Sequence, residues 1–289
     1  AVVHSVFNIA NTVVFIPLKR PMIALCERAV RKSNEETHTV FLDERLFNNP
    51  SIAITECRRL VDEMARVSCD AVLAAIDTIY EYDEATIARV KEAEALTDKY
   101  EDKLSTYLVR ISSKNISPKD SHTVARLLHG INDFERIGDH ALNLCRRGIE
   151  IKEKKIVFSD DAKAELDVIT RALVEIINIT KNSFVCDDIG EAALVEPLEQ
   201  VIDKLNYEIK DRHVNRLKEG RCTVNLGFVY SDILADYERI SDHCSNIAVY
   251  TIQRNSAKID PHKFLNEVKS SDNPVFKGEY DLYLKKYAL

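Results

Sequence analysis

From about residue 51 onward, apolar residues recur every three or four positions, the spacing that turns one side of a 3.6-residue helix toward a core. Leu60, Val61, Met64, Val67, Ala71, Val72, Ala75 and Ile79 form one such stripe, and Leu166, Ile169, Leu173, Ile176 and Ile177 form another about a hundred residues later. Boundary signals divide the pattern. Ser117-Pro118 supplies an N-cap and a proline at the first helical position, and Ser159 with Asp160 and Asp161 is a second start. Gly190 and Gly220 bracket a further helix, and Asp260-Pro261 starts a short tail helix. The pattern predicts six long helices, over 51–82, 84–113, 118–153, 158–187, 191–219 and 221–255. Taken three at a time they make two tandem antiparallel three-helix bundles, an all-α fold.

The chain ahead of this pattern differs in character. Residues 1–20 open with an apolar run of about eighteen residues closed by Lys19 and Arg20, with His4, Asn8 and Asn11 on one stripe. As an N-terminal apolar helix this segment suits either the end of a transmembrane span or a helix docked on the domain's own surface. Its positive charges follow the apolar run, which is the wrong order for a secretory signal. The expected organisation is therefore an apolar segment at 1–20, a connector at 21–50, repeats at 51–156 and 157–256, and a tail at 257–289.

Composition supports the helical reading and removes some functions. Only seven Gly and seven Pro occur, too few for the turns that many strands require. A net charge of −7 leaves no basic footprint for nucleic acid, so none is expected as a partner. The seven cysteines are scattered and never spaced Cys-x-x-Cys, which suggests neither a disulfide framework nor a thiolate metal site.

An internal repeat underlies the two bundles. INDFERIGDHALNL at 131–144 matches LADYERISDHCSNI at 234–247, sharing an Asp, an aromatic, Glu-Arg-Ile, Asp-His and an Asn in order. EALTDKYE at 94–101 likewise aligns with EQVIDKLN at 199–206. On these paired helices lie all four Glu-x-x-x-Asp pairs of the chain: Glu94/Asp98, Glu135/Asp139, Glu199/Asp203 and Glu238/Asp242. Spacing i, i+4 stacks both carboxylates of a pair on one helix face, and two such helices side by side gather four acids. Like charges held close and partly desolvated are costly unless a counter-ion relieves them, so each bundle is a candidate site for a multiply charged metal. The alternative is solvated acids paired with Arg136, Arg239 and nearby lysines. Asn143 and Asn246 extend each third-helix stripe as a neutral ligand or a hydrogen-bonding group. His140 and His243 point about 100° away from the acids, toward supporting or packing roles. The Glu-x-x-His spacing of ferritin-like di-iron sites is missing from these helices.

Two three-helix units, each with Glu-x-x-x-Asp on its second and third helices and the runs ERIGDHALN or ERISDHCSN, closely resemble the PhoU family over about residues 51–256. The resemblance implies multinuclear iron or zinc clusters held by Glu94, Asp98, Glu135, Asp139, Glu199, Asp203, Glu238 and Asp242. It also implies a regulatory, non-enzymatic role in phosphate homeostasis. The opening AVVHSVFNIANTVVFIPL and the closing VFKGEYDLYLKKYAL are similar to the corresponding segments of bacterial sodium/phosphate cotransporters that carry a PhoU-like domain. Expected partners are then the membrane transporter portion of the same or another chain and a phosphate-signalling protein, at the cytoplasmic face of the membrane, with homo-oligomerisation left open. A freestanding PhoU-type regulator and a carboxylate-bridged metal oxidase are the competing readings. Asn206 in place of Glu101 and Ser241 in place of Gly138 depart from strict repetition, so the two sites need not be equally occupied.

Overall fold

The structure, a computed structural model, describes residues 42–253 and 274–289 and, outside these, only Phe7 and Thr12. The expected apolar helix at 1–20, most of the connector and the start at Asp260-Pro261 lie outside the described residues. A 3-10 helix, Glu44–Asn48, leads into α1 (Pro50–Tyr80), α2 (Glu84–Ser112) and α3 (Pro118–Glu153). There follow α4 (Asp160–Cys186), a single turn α5 (Ile189–Ala192), α6 (Val195–Lys218), α7 (Val224–Ile252) and the tail helix α8 (Pro274–Lys286). No strand occurs among the described residues.

Local chemistry accounts for the ends. Ser117 accepts from the Asp120 N–H ahead of α3 and Ser159 from the Ala162 N–H ahead of α4, as expected of Ser caps. Asp83 takes the Ala85 and Thr86 N–H groups at the start of α2, and Thr223 takes that of Leu226 at the start of α7. Each such cap stabilises its helix by about 1 kcal/mol. Two helix starts differ most from the sequence expectation. The helix expected at 191–219 begins at Val195, because a continuous helix would need an N–H from Pro197 to satisfy the Ala193 carbonyl, and proline has none. The one expected at 221–255 begins after Thr223, whose side chain competes for the first-turn donors.

α1, α2 and α3 pack on one another, as do α4, α6 and α7, and the two bundles join where α3 meets α7 and α1 meets α4. The α1 stripe is buried along its length, with Ala53, Cys57, Val61, Met64, Ala65, Cys69, Val72 and Ala75 excluded from solvent. Phe134 of α3 meets Phe184 of α4 edge to face at 5.0 Å, an arrangement that adds to the area buried. Close approach at the other end depends on Gly148, where a Cβ would lie 2.5 Å from the Thr78 carbonyl oxygen of α1. α8 lies against α6. No described helix is long and apolar enough to cross a membrane.

Candidate functional site

The second and third helices of each bundle run side by side, and their acids meet there. In the first bundle one carboxylate oxygen each from Glu94 and Asp98 of α2 and Asp139 of α3 lie within 4.8 Å of one another. In the second, Glu199 and Asp203 of α6 meet Asp242 of α7 within the same limit. The two groups occupy matching positions of the repeat. Six of the eight expected residues are thus brought together, three and three.

The remaining two diverge. Glu135 sits one turn before Asp139, with the Arg136 Nε 3.5 Å away, and feels the charges of Asp139, Asp98 and Glu101. Glu238, at the matching place, is instead hydrogen-bonded by the Asn206 amide at 2.8 Å and the Lys210 ammonium at 2.9 Å, both on the same oxygen. At the rim Arg136 and Arg239 approach Asp139 and Asp242 at 3.5 and 3.7 Å from largely solvated positions.

The first cluster carries the electrostatic signature of crowded acids. Burial raises the Glu94 carboxyl pKa, with Asp98 and Asp139 adding to it. Asp98 is raised by burial and then by Asp139, and Glu135 by burial and then by Asp139. Arg146 and Lys91 oppose the shift at Glu94 without cancelling it. Such a site holds its protons more tightly than isolated carboxyls do.

The donor sets fit a metal ion. Oxygens bound at about 2.0–2.6 Å from one cation are separated by at most roughly 4–5 Å, so each triad spans a single ion's shell without backbone movement. The donors are all carboxylate oxygens, chemistry that suits hard multivalent cations. Cys69 and Cys244 are buried and belong to neither triad, and burial pushes their thiols up, Cys244 to about 12. Gly138 shapes the first cluster: a Cβ there would meet the Thr97 Oγ1 at 2.8 Å, on the α2 turn between Glu94 and Asp98. Ser241 replaces it in the second bundle and turns its hydroxyl to the Glu238 carbonyl at 2.9 Å.

Between the clusters lies a network that the acid pattern alone does not reveal. Asp133 of α3 accepts from the His243 Nδ1 at 2.8 Å and the Asn246 amide at 3.3 Å of α7. Reciprocally, Asp236 of α7 accepts from the His140 Nδ1 at 2.9 Å and the Asn143 amide at 3.4 Å of α3. The two imidazoles face each other at 5.9 Å. His140 and His243 are therefore packing residues between the bundles, and the two asparagines serve as hydrogen-bond donors. Asp133 and Asp236 were visible only as identities of the repeat; the signal was the spacing Asp-x6-His-x2-Asn shared by both copies.

The family model for the PhoU domain matches residues 61–148 and again residues 169–251. A Thermotoga maritima protein, described as phosphate-specific transport system accessory protein PhoU homolog 1, is 26% identical over 211 residues, covering 73% of this chain and 90% of that protein. The Serratia marcescens phosphate-specific transport system accessory protein PhoU is 24% identical over 180 residues, 61% of this chain and 72% of its own length. Among solved structures, PhoU from Pseudomonas aeruginosa superposes with a TM-score of 0.66 at 21% identity, over 73% of this chain and all of that one. The two matches of one model to successive bundles agree with the duplicated acid triads, and on them the chain belongs to the PhoU domain family.

Proposed function

We propose that this chain is a metal-dependent accessory regulator of phosphate transport, acting through protein contacts at the cytoplasmic face of the membrane and performing no catalysis. The observation that carries the reading is the pair of acid triads in register on α2/α3 and α6/α7. The names of the T. maritima and S. marcescens relatives supply the phosphate-transport context.

In this reading Glu94 and Asp98 tie α2 to α3 through Asp139, and Glu199 and Asp203 tie α6 to α7 through Asp242. A bound multivalent cation, iron or zinc, supplies the positive charge that lets these acids stay ionised together. Without such a charge the triads repel, the paired helices loosen, and the surface offered to a transporter or phosphate-signalling protein changes. Attachment to a sodium/phosphate transporter is supported by the apolar run at 1–18. A freestanding accessory protein is supported at least as well, since the match covers 90% of the T. maritima relative. Partition of the full chain between membrane and soluble fractions separates these two forms.

The central claim is tested in cells lacking the chain by following phosphate uptake after a shift to high phosphate. The unaltered chain is expected to restore the normal decline in uptake, and a D98N/D139N/D203N/D242N variant of native helicity is expected to fail. Full restoration by that variant would overturn the metal-dependent reading.

A further inference from the structure

The two acid clusters come from one template, yet they differ at two positions of their second helices. The offset that maps Glu94 onto Glu199 maps Glu101 onto Asn206 and Ser105 onto Lys210. Both replacements in the second bundle act on one atom, the Oε2 of Glu238. Asn206 is buried; its amide reaches Glu238 at 2.8 Å and the Leu234 carbonyl at 3.1 Å, which locks it in place. The Lys210 ammonium completes the pair at 2.9 Å.

In the first bundle Ser105 stands where Lys210 does, and at the matching glutamate, Glu135, the charge of Glu101 adds to those of Asp98 and Asp139. The neighbourhood thus holds Glu94, Asp98, Glu101, Glu135 and Asp139, with Arg136 beside Glu135 and Arg146 and Lys91 acting on Glu94. The second holds Glu199, Asp203, Glu238 and Asp242 against Arg239 and Lys210. The contrast lies at the third-helix glutamate itself: acids crowd Glu135, whereas an ammonium and an amide sit on one oxygen of Glu238. A primary ammonium within hydrogen-bond distance of a carboxylate occupies the oxygen lone pairs that a metal would use.

We propose that Lys210, with its target oriented by Asn206, is a built-in substitute for a metal ion, so that the second cluster holds at least one ion fewer than the first. The inference rests on the metal-binding reading given above. Glu238 is then a structural partner of Lys210 and Glu135 a true ligand, and the residue at the Ser105/Lys210 position sets the nuclearity of each site.

The test is ion stoichiometry on the full chain, stripped with chelator, reloaded with iron(II) alone without oxygen, dialysed and measured by elemental analysis. D203N/D242N isolates the first cluster and D98N/D139N the second. The first is expected to retain about one more ion per chain than the second, because Lys210 and Asn206 take the Glu238 oxygen that a further ion would use. Adding K210S to D98N/D139N, alone or with N206E, is expected to raise retention by about one ion, and adding S105K with E101N to D203N/D242N to lower it by as much. Lys210, Ser105 and Glu101 are not fully buried, so K210S and the E101N/S105K exchange report even where N206E in its buried position fails to fold. Equal retention by the two isolated clusters, or exchanges that leave retention unchanged in folded protein, would overturn the substitution of Lys210 for a metal and leave the metal-binding reading standing. No retained ion in the unaltered chain would overturn both.

Discussion

The first and second bundles solve the same packing problem with different chemistry. At one place the first uses Ile111 and Leu127, both fully buried; the corresponding residues of the second are Arg216 and Tyr230, also buried. Arg216 forms a bidentate pair with Glu165 at 2.8 and 2.7 Å, and the Tyr230 hydroxyl joins it at 3.3 Å. The clusters repeat the theme, with Glu135 crowded by acids and Glu238 neutralised by Lys210. Duplicated backbones thus tolerate either apolar contact or internal charge compensation, and the second bundle uses compensation. Its polar groups are consequently the more vulnerable to single substitutions.

The largest effect follows from breaking the buried pair. Arg216→Met leaves Glu165 buried without its main cation and is expected to cost about 3–5 kcal/mol, read from denaturant unfolding. Placing the first bundle's chemistry there, with E165L/R216I, is expected to recover most of that loss; an equal loss in the double variant would contradict the compensation argument.

Next come the reciprocal aspartates. Asp133→Ala and Asp236→Ala each strand a histidine and an asparagine at the α3/α7 junction, and each is expected to cost about 1.5–3 kcal/mol, the scale of charge-assisted hydrogen bonds. Asp133 is the more deeply buried, 3% exposed against 8% for Asp236, and should be the costlier of the two. A loss at one site only would show that the apparent two-fold relation is not energetic.

Gly138→Ala pushes a methyl group toward the Thr97 Oγ1, at a cost of about 1–3 kcal/mol with weaker ion binding at the first cluster. Ser241→Gly, the reverse exchange, is expected to leave ion binding at the second cluster unchanged, since Ser241 only bonds its own helix.

The smallest expected effect is on pH dependence. In the ion-free chain the carboxyls of Glu94, Asp98 and Glu135 lie above their ordinary values of 4.5, 3.8 and 4.5. Between the ordinary and the raised value the folded chain binds more protons than the unfolded one, so stability is highest on the acid side and falls as pH rises through that window. Asp139→Asn removes a like charge that acts on all three, and should flatten the fall without abolishing it, because burial is the larger cause. Thermal unfolding in chelator across the carboxylate range measures both slopes.

Much of this was legible beforehand. The helix spans came within a few residues because capping and apolar period act locally, and the shifts at Val195 and Val224 trace to Pro197 and Thr223, which are themselves local signals. The Glu-x-x-x-Asp pairs on matching helices pointed to the right faces. What could not be read was partnership across helices: that Asp139 joins the Glu94/Asp98 pair while Glu135 stays outside the triad, that Lys210 reaches Glu238, and that His243 turns to Asp133.

By itself, then, the sequence determined an all-α chain with a duplicated three-helix unit and which faces carry acid, because helix period, caps and repeat identity are properties of neighbours along the chain. Tertiary structure alone decided which oxygens lie within one ion's reach and which acids are met by a cation, because those depend on the separation and rotation of α2 against α3 and of α6 against α7. Across that second interface Asn206 and Lys210 reach Glu238, and one template becomes two unlike sites.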